Sequence, residues 1–298
     1  MKKKIIFRGV GTALITPFTA DNEVDYPALL SLIELQIAAG VDALVIGGTT
    51  GEAATLSDAE RYELYSRAID AIAGRARVIL GTGTNDTAVA VAHTKTASAL
   101  ACDGVLCVTP YYNKGTDAGL TEHYLRIAEA SRAPVILYNV PSRTGVNLPL
   151  AVLDRLAEHE NIVALKEAGD SAERLVALAA FGERLGLYAG NDAALYSVLA
   201  LGGLGGISVV SNVAPRRMEQ VCELWFEGRH HEARLAALRL LPLCRALFAE
   251  TNPTPVKYAM HLCGLCRPDV RLPLALPQPA TRALLAGALA ELGILPPV

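Results

Sequence analysis

Short apolar runs rich in β-branched residues recur along the chain, separated by stretches in which apolar positions return every three or four residues. The runs lie at 11–15, 43–46, 78–80, 105–108, 135–137, 162–165, 187–189 and 207–210. Bounded by glycine-rich or polar segments, each reads as a short buried strand. The segments between them carry helical spacing, as in Leu29, Leu32, Ile33, Gln36 and Ile37, or Leu64, Ala68, Ile69 and Ile72. Several open on a capping residue: Asp25 before Tyr26-Pro27, Ser57 three residues before Glu60, and Asp86 before Thr87. Eight strands alternating with helices predict an α/β fold, a (β/α)8 TIM barrel over residues 1–224, ahead of a doubly wound sheet. Beyond the barrel the pattern holds helical runs at 225–247 and 282–292 and no convincing strand. Residues 225–298 are therefore expected to form a C-terminal α-helical bundle.

Composition narrows the function more than the fold. In a chain of 298 residues with 52% apolar residues there is enough material for a large core and little room for disorder. The 27 basic residues are balanced by 30 acidic ones, which leaves no electrostatic footprint for nucleic acid and favours a small neutral or anionic metabolite. The apolar stretch after Met1-Lys2-Lys3-Lys4 ends at Arg8, too soon for an export signal. The uncharged run 193–215 has the length of a membrane span but is broken by Gly202-Gly203 and Gly205-Gly206. It reads as helix, turn and strand, and a cytoplasmic protein without membrane contact is expected. Six scattered cysteines fit reduced structural thiols; Cys263-x-x-Cys266 is an unmatched pair with a weaker claim to metal or redox use.

In a parallel barrel the chemistry gathers where each strand ends. The sixth run, Ile162-Val163-Ala164-Leu165, ends in Lys166-Glu167. A lysine amine in water has a pKa near ~10.4, so only about one in a few thousand is free at neutral pH; burial or a nearby cation makes it a usable nucleophile toward a carbonyl. The competing reading pairs Lys166 with Glu167 or Asp170. Thr49 and Thr50, in Gly47-Gly48-Thr49-Thr50-Gly51-Glu52, can cradle a carboxylate or simply close a turn. Tyr138 can relay protons or bury its ring, Tyr111 and Tyr112 can pack at an interface, and Arg143 can clamp a carboxylate or sit in solvent. Neither His-Glu-x-x-His nor Gly-x-Ser-x-Gly is present, and the glycine motifs lack the lysine or third glycine of nucleotide sites.

Taken together and in order, 47–52, 109–113, 138–145, 165–168 and 202–208 resemble the motifs of the 4-hydroxy-tetrahydrodipicolinate synthase (dihydrodipicolinate synthase) family, within the class I pyruvate-dependent lyases. The resemblance extends to Asn252-Pro253-Thr254-Pro255-Val256-Lys257 and Arg271-Leu272-Pro273. It implies a Schiff base between Lys166 and pyruvate, condensation with L-aspartate 4-semialdehyde, and no metal or organic cofactor. It further implies a proton relay of Thr49, Tyr138 and Tyr112, with Thr50 on the pyruvate carboxylate and Arg143 on that of the semialdehyde. Gly190 and Ile207 would line the pocket. Tyr112 would reach into a neighbouring subunit, in a homotetramer built as a dimer of tight dimers. N-acetylneuraminate lyase and 2-keto-3-deoxy sugar acid aldolases share much of the pattern, and Arg143 is what separates them; a non-catalytic carboxylate-binding barrel is the alternative outside enzymes.

The chain departs from the family pattern at two loops and at the effector positions. Gly169 follows Ala168 directly, so the loop after the lysine is one residue short, and Gly115 stands where a proline is frequent. Lysine-sensitive members carry a serine, histidines and an acid at positions that here read Ala53, Asp58, Arg61 and Val89. Weak or absent inhibition by L-lysine is expected.

Overall fold

The β-branched runs do form strands, and their order is the simplest one available. In the computed structural model, which describes residues 3–296, the strands among the described residues are β1 (Gly9–Ala13), β2 (Ala43–Ile46), β3 (Arg77–Gly81), β4 (Gly104–Val108), β5 (Val135–Asn139), β6 (Ile162–Glu167), β7 (Gly186–Ala189) and β8 (Gly205–Ser208). They follow one another as a closed barrel in sequence order, with parallel pairing. The α-helices are α1 (Tyr26–Ala38), α2 (Asp58–Ile72), α3 (Thr87–Ala97), α4 (Asp117–Ala130), α5 (Pro141–Thr144), α6 (Leu150–Leu156), α7 (Ala172–Ala179), α8 (Leu195–Ala200), α9 (Pro215–Phe226), α10 (His230–Leu247), α11 (Thr254–Leu262) and α12 (Pro279–Glu291). The three capping signals hold: Asp25 and Asp86 accept from the first turns of α1 and α3, and Ser57 and Glu60 close a reciprocal capping box on α2.

Most strands run one or two residues beyond the expected limits, and three larger differences have a local reason. The first strand begins at Gly9 and stops at Ala13, because Ile15 gives its N–H to the Asn212 side chain at 3.1 Å instead of to a strand. The last strand starts two residues early. Its Gly205 has φ +142°, and a Cβ there would meet the Gly9 carbonyl oxygen at 1.8 Å; no propensity scale finds a strand whose opening residue must be glycine. The run after it, Val210–Asn212, turns into a 3-10 helix on the Ser208 hydroxyl, which accepts from Ser211 N–H at 2.9 Å. The helix expected over 225–247 is two: Phe226 ends α9, and Gly228 (φ +79°) turns the chain before α10.

The chain divides into two compact units. One holds the stretch ending at Gly9 together with Arg77–Ile207, and the other holds Val10–Ala76 with Ser208–Val298. In the first, β3 to β8 lie in parallel register, with Tyr138 opposite Lys166 and Lys166 opposite Tyr188. In the second, α9 packs on α10, and α12 on both α10 and α11. Gln36 is a well-satisfied buried polar group of this unit: it accepts from Thr12 Oγ1 at 2.7 Å and donates to the Ser211 carbonyl at 2.9 Å. Glu219 of α9 is the opposite case. Buried, with Oε1 lacking a hydrogen bond, its carboxyl is pushed up to about 9, first by burial and then by the charges of Asp42 and Glu223. A carboxyl raised in this way favours the fold below its unfolded pKa and loses that advantage as pH climbs through about 9. Glu219→Gln is therefore expected to raise stability at pH 8 by on the order of 3 kcal/mol and to change little at pH 4.5. Urea midpoints at the two pH values check this; equal shifts at both would refute it.

Candidate active site

Lys166 is the last residue but one of β6 inside the first unit, and its surroundings are what free its amine. The side chain is 4% exposed, and the ammonium nitrogen lies 4.3 Å from the centroid of the Tyr138 ring, contributed by the strand-end residue directly opposite on β5. Burial lowers its pKa to about 8; the Asp192 carboxylate works against that shift and the Arg143 guanidinium adds to it. At pH 7 roughly a tenth of such amines are uncharged, about 200 times the fraction for a lysine in water.

The pairing of Lys166 with Glu167 does not occur, and strand geometry explains why. Successive side chains of a strand point to opposite faces, so Glu167 faces away from its neighbour. There its carboxylate is fully engaged: Arg174 Nε donates at 2.9 Å, Asn139 Nδ2 at 2.8 Å and the Gly169 N–H at 2.7 Å. Asn139 is held in turn by Asn147 and by the Leu148 N–H. Asp170 is exposed, and among the described residues no carboxylate forms an ion pair with Lys166. The loop that follows the lysine is thus tied back through Glu167, and the buried amine stays beside the Tyr138 ring.

The other expected residues of this unit take distinct positions. Arg143 lies in the single-turn helix α5, exposed, with its charge felt at Lys166. Gly190 approaches the end of β6 so closely that its N–H meets the Glu167 carbonyl at 2.6 Å, and a Cβ there would press on the Ala168 methyl at 2.8 Å. Ile207 is buried in β8. Tyr112 is 88% exposed and sits at φ +72°, a left-handed conformation that costs a non-glycine residue free energy. Asp192, which sequence reasoning left without a role, is buried in the 3-10 turn Asp192–Ala194 that follows β7.

In the second unit the turn after β2 carries Thr49 and Thr50. Glu52 N–H closes onto the Thr49 carbonyl at 3.1 Å and Ala53 N–H onto the Gly48 carbonyl at 3.3 Å. Thr50 is buried, and its hydroxyl oxygen accepts from Asn252 Nδ2 at 3.0 Å. Two residues on, the buried Glu52 carboxylate pairs with Lys257 and accepts the Arg271 N–H at 2.9 Å. These partners stand some 200 residues away in sequence, in the two C-terminal motifs that the resemblance named without assigning them a role. The cysteines are free among the described residues, and burial pushes the thiols of Cys263 and Cys266 up, the latter to about 12, which makes them poor nucleophiles.

The chain is similar to known proteins over nearly its whole length. The model of the dihydrodipicolinate synthetase family matches residues 6–290. The 4-hydroxy-tetrahydrodipicolinate synthase of Thermotoga neapolitana is 44% identical over 295 residues, covering 97% of this chain and all of its own. Among solved structures, the dihydrodipicolinate synthase of Thermotoga maritima superposes with a TM-score of 0.95 at 41% identity, over 98% of this chain and 100% of that one. The chloride-inhibited enzyme of Acinetobacter baumannii complexed with pyruvate gives 0.95 at 41% identity, over 97% and 100%.

Proposed function

The chain belongs to the dihydrodipicolinate synthetase family, and from that premise we propose that it is a 4-hydroxy-tetrahydrodipicolinate synthase, a lyase condensing pyruvate with L-aspartate 4-semialdehyde on the route to lysine and diaminopimelate. The observation that carries the reading is the buried amine of Lys166, lowered to about 8 and clear of any ion pair among the described residues. The free amine attacks the pyruvate ketone, water leaves, and the resulting iminium draws electrons from the methyl group. Loss of a methyl proton gives an enamine, which adds to the aldehyde of the second substrate. That substrate's own amine then displaces Lys166 by transimination, closing the ring and returning the enzyme. No step calls for a metal or an organic cofactor.

In this reading Thr49, Tyr138 and Tyr112 pass the protons, Thr50 holds the pyruvate carboxylate, Arg143 holds that of the semialdehyde, and Gly190 and Ile207 shape the pocket. Arg143 supports a small amino-acid aldehyde that carries its own carboxylate as second substrate over a polyhydroxylated one, since a guanidinium pairs with a carboxylate and not with sugar hydroxyls. The exposed, left-handed Tyr112 supports an assembly in which the ring is covered by a neighbouring subunit, and we assign a dimer of tight dimers working in the cytoplasm. A coupled assay with both substrates tests the activity. Faster turnover of N-acetylneuraminate or a 2-keto-3-deoxy acid would overturn it.

Feedback by L-lysine is expected to be weak. Val89 is exposed on α3 where an acid would be needed to pair with the ligand's ammonium, and Arg61 donates to the Ala53 carbonyl at 2.8 Å. Half-inhibition well below about 1 mM lysine, an affinity stronger than about 4 kcal/mol, would contradict this.

A further inference from the structure

The Thr50 hydroxyl takes a hydrogen bond from outside its own strand and turn. Asn252 Nδ2 donates to Thr50 Oγ1 at 3.0 Å, with both side chains buried. The contact is braced two residues along the turn, where Lys257 of α11 pairs with Glu52 and also donates to the Asp269 carbonyl at 2.8 Å. A hydroxyl has one proton to give and lone pairs to receive. Accepting from the amide leaves that proton free for a second acceptor, whereas a carboxylate ligand presents only acceptors. We propose that Asn252 is a positioning residue that holds the Thr50 hydroxyl as a donor toward the carboxylate of the 2-keto acid substrate. The proposal rests on the assignment of Thr50 to that carboxylate made above.

Polarity, unlike packing, separates two near-isosteric replacements. Asn252→Asp keeps the shape but turns the donor into an acceptor, so the Thr50 proton swings to the aspartate and lone pairs face the substrate anion. Asn252→Ala removes the partner and leaves the hydroxyl free to rotate. Steady-state kinetics on the full chain at pH 8, with pyruvate varied and semialdehyde saturating, should give Thr50→Val a pyruvate KM at least tenfold higher. Asn252→Ala should raise it a few-fold, and Asn252→Asp more than Asn252→Ala, with the semialdehyde KM within twofold throughout. A milder effect of aspartate than of alanine would reduce Asn252 to a structural role and overturn the proposal. An unchanged pyruvate KM in Thr50→Val would instead refute the underlying assignment. If Asn252→Asp does not fold, the pair Thr50→Val and Asn252→Ala still decides: the Asn252→Ala effect should vanish once the hydroxyl is gone, and effects that simply multiply would contradict the coupling.

Discussion

Replacing Lys166 by methionine abolishes turnover, by about four to six orders of magnitude, while leaving the protein at least as stable as before. The two halves of this expectation have one cause. Holding the lysine's pKa at about 8 in the folded state costs about 3 kcal/mol at neutral pH. The sign follows from the direction of the shift: burial disfavours the charged form, so the penalty is fully present below about pH 8, fades as pH rises from there, and is gone above the unfolded value. Methionine removes it and fills similar space. Lys166→Arg is the informative contrast, because a guanidinium stays charged and must be buried so; it should be equally inactive but less stable than the parent. Urea midpoints of the two variants at pH 7 check this, and a methionine variant less stable than the arginine one would show that Lys166 is held by an ion pair after all.

Removal of Lys257 has the largest expected effect on the fold. Lys257 and Glu52 are both fully buried, and the carboxylate belongs to a residue at φ +54°, in the left-handed region, at the end of the turn that carries Thr49 and Thr50. Lys257→Met leaves that carboxylate without its ammonium, with the Arg271 N–H as its remaining partner among the described residues. Stranding one charge of a buried pair costs about 3–5 kcal/mol, so the urea midpoint should fall accordingly. The double variant Lys257→Met with Glu52→Gln should recover most of the loss, since two neutral groups are easier to bury than one orphaned ion. A single-variant cost under about 1 kcal/mol would mean that water or another cation replaces Lys257.

How much of this was readable in the sequence depends on whether the determining contact is local. The strands announced themselves because β-branched runs bounded by turns have few other uses, and α1, α2 and α3 because their caps are neighbours in the chain. The strand-end lysine and tyrosine were legible as candidates; that they stand side by side follows only from the β5–β6 register. Alternation along β6 alone would have placed Glu167 on the opposite face, a signal available in the sequence and not used. What escaped altogether was long-range. Asn252 and Lys257 meet Thr50 and Glu52 across 202 and 205 residues, and α11, which carries Lys257, is a nine-residue helix with prolines at its start, too short and too interrupted for periodicity to find. The glycine that opens β8 escaped for a different reason: it is chosen by the backbone of Gly9, not by its own preference.

The central claim is that the Lys166 amine is free enough at neutral pH to capture a 2-keto acid. Incubation with pyruvate and borohydride, followed by peptide mass analysis, reads it directly. The account predicts a single reduced pyruvyl adduct on the peptide bearing Lys166, formed with an apparent pKa near 8. Folded protein that takes up no pyruvyl group, or takes it up on another lysine, would contradict it.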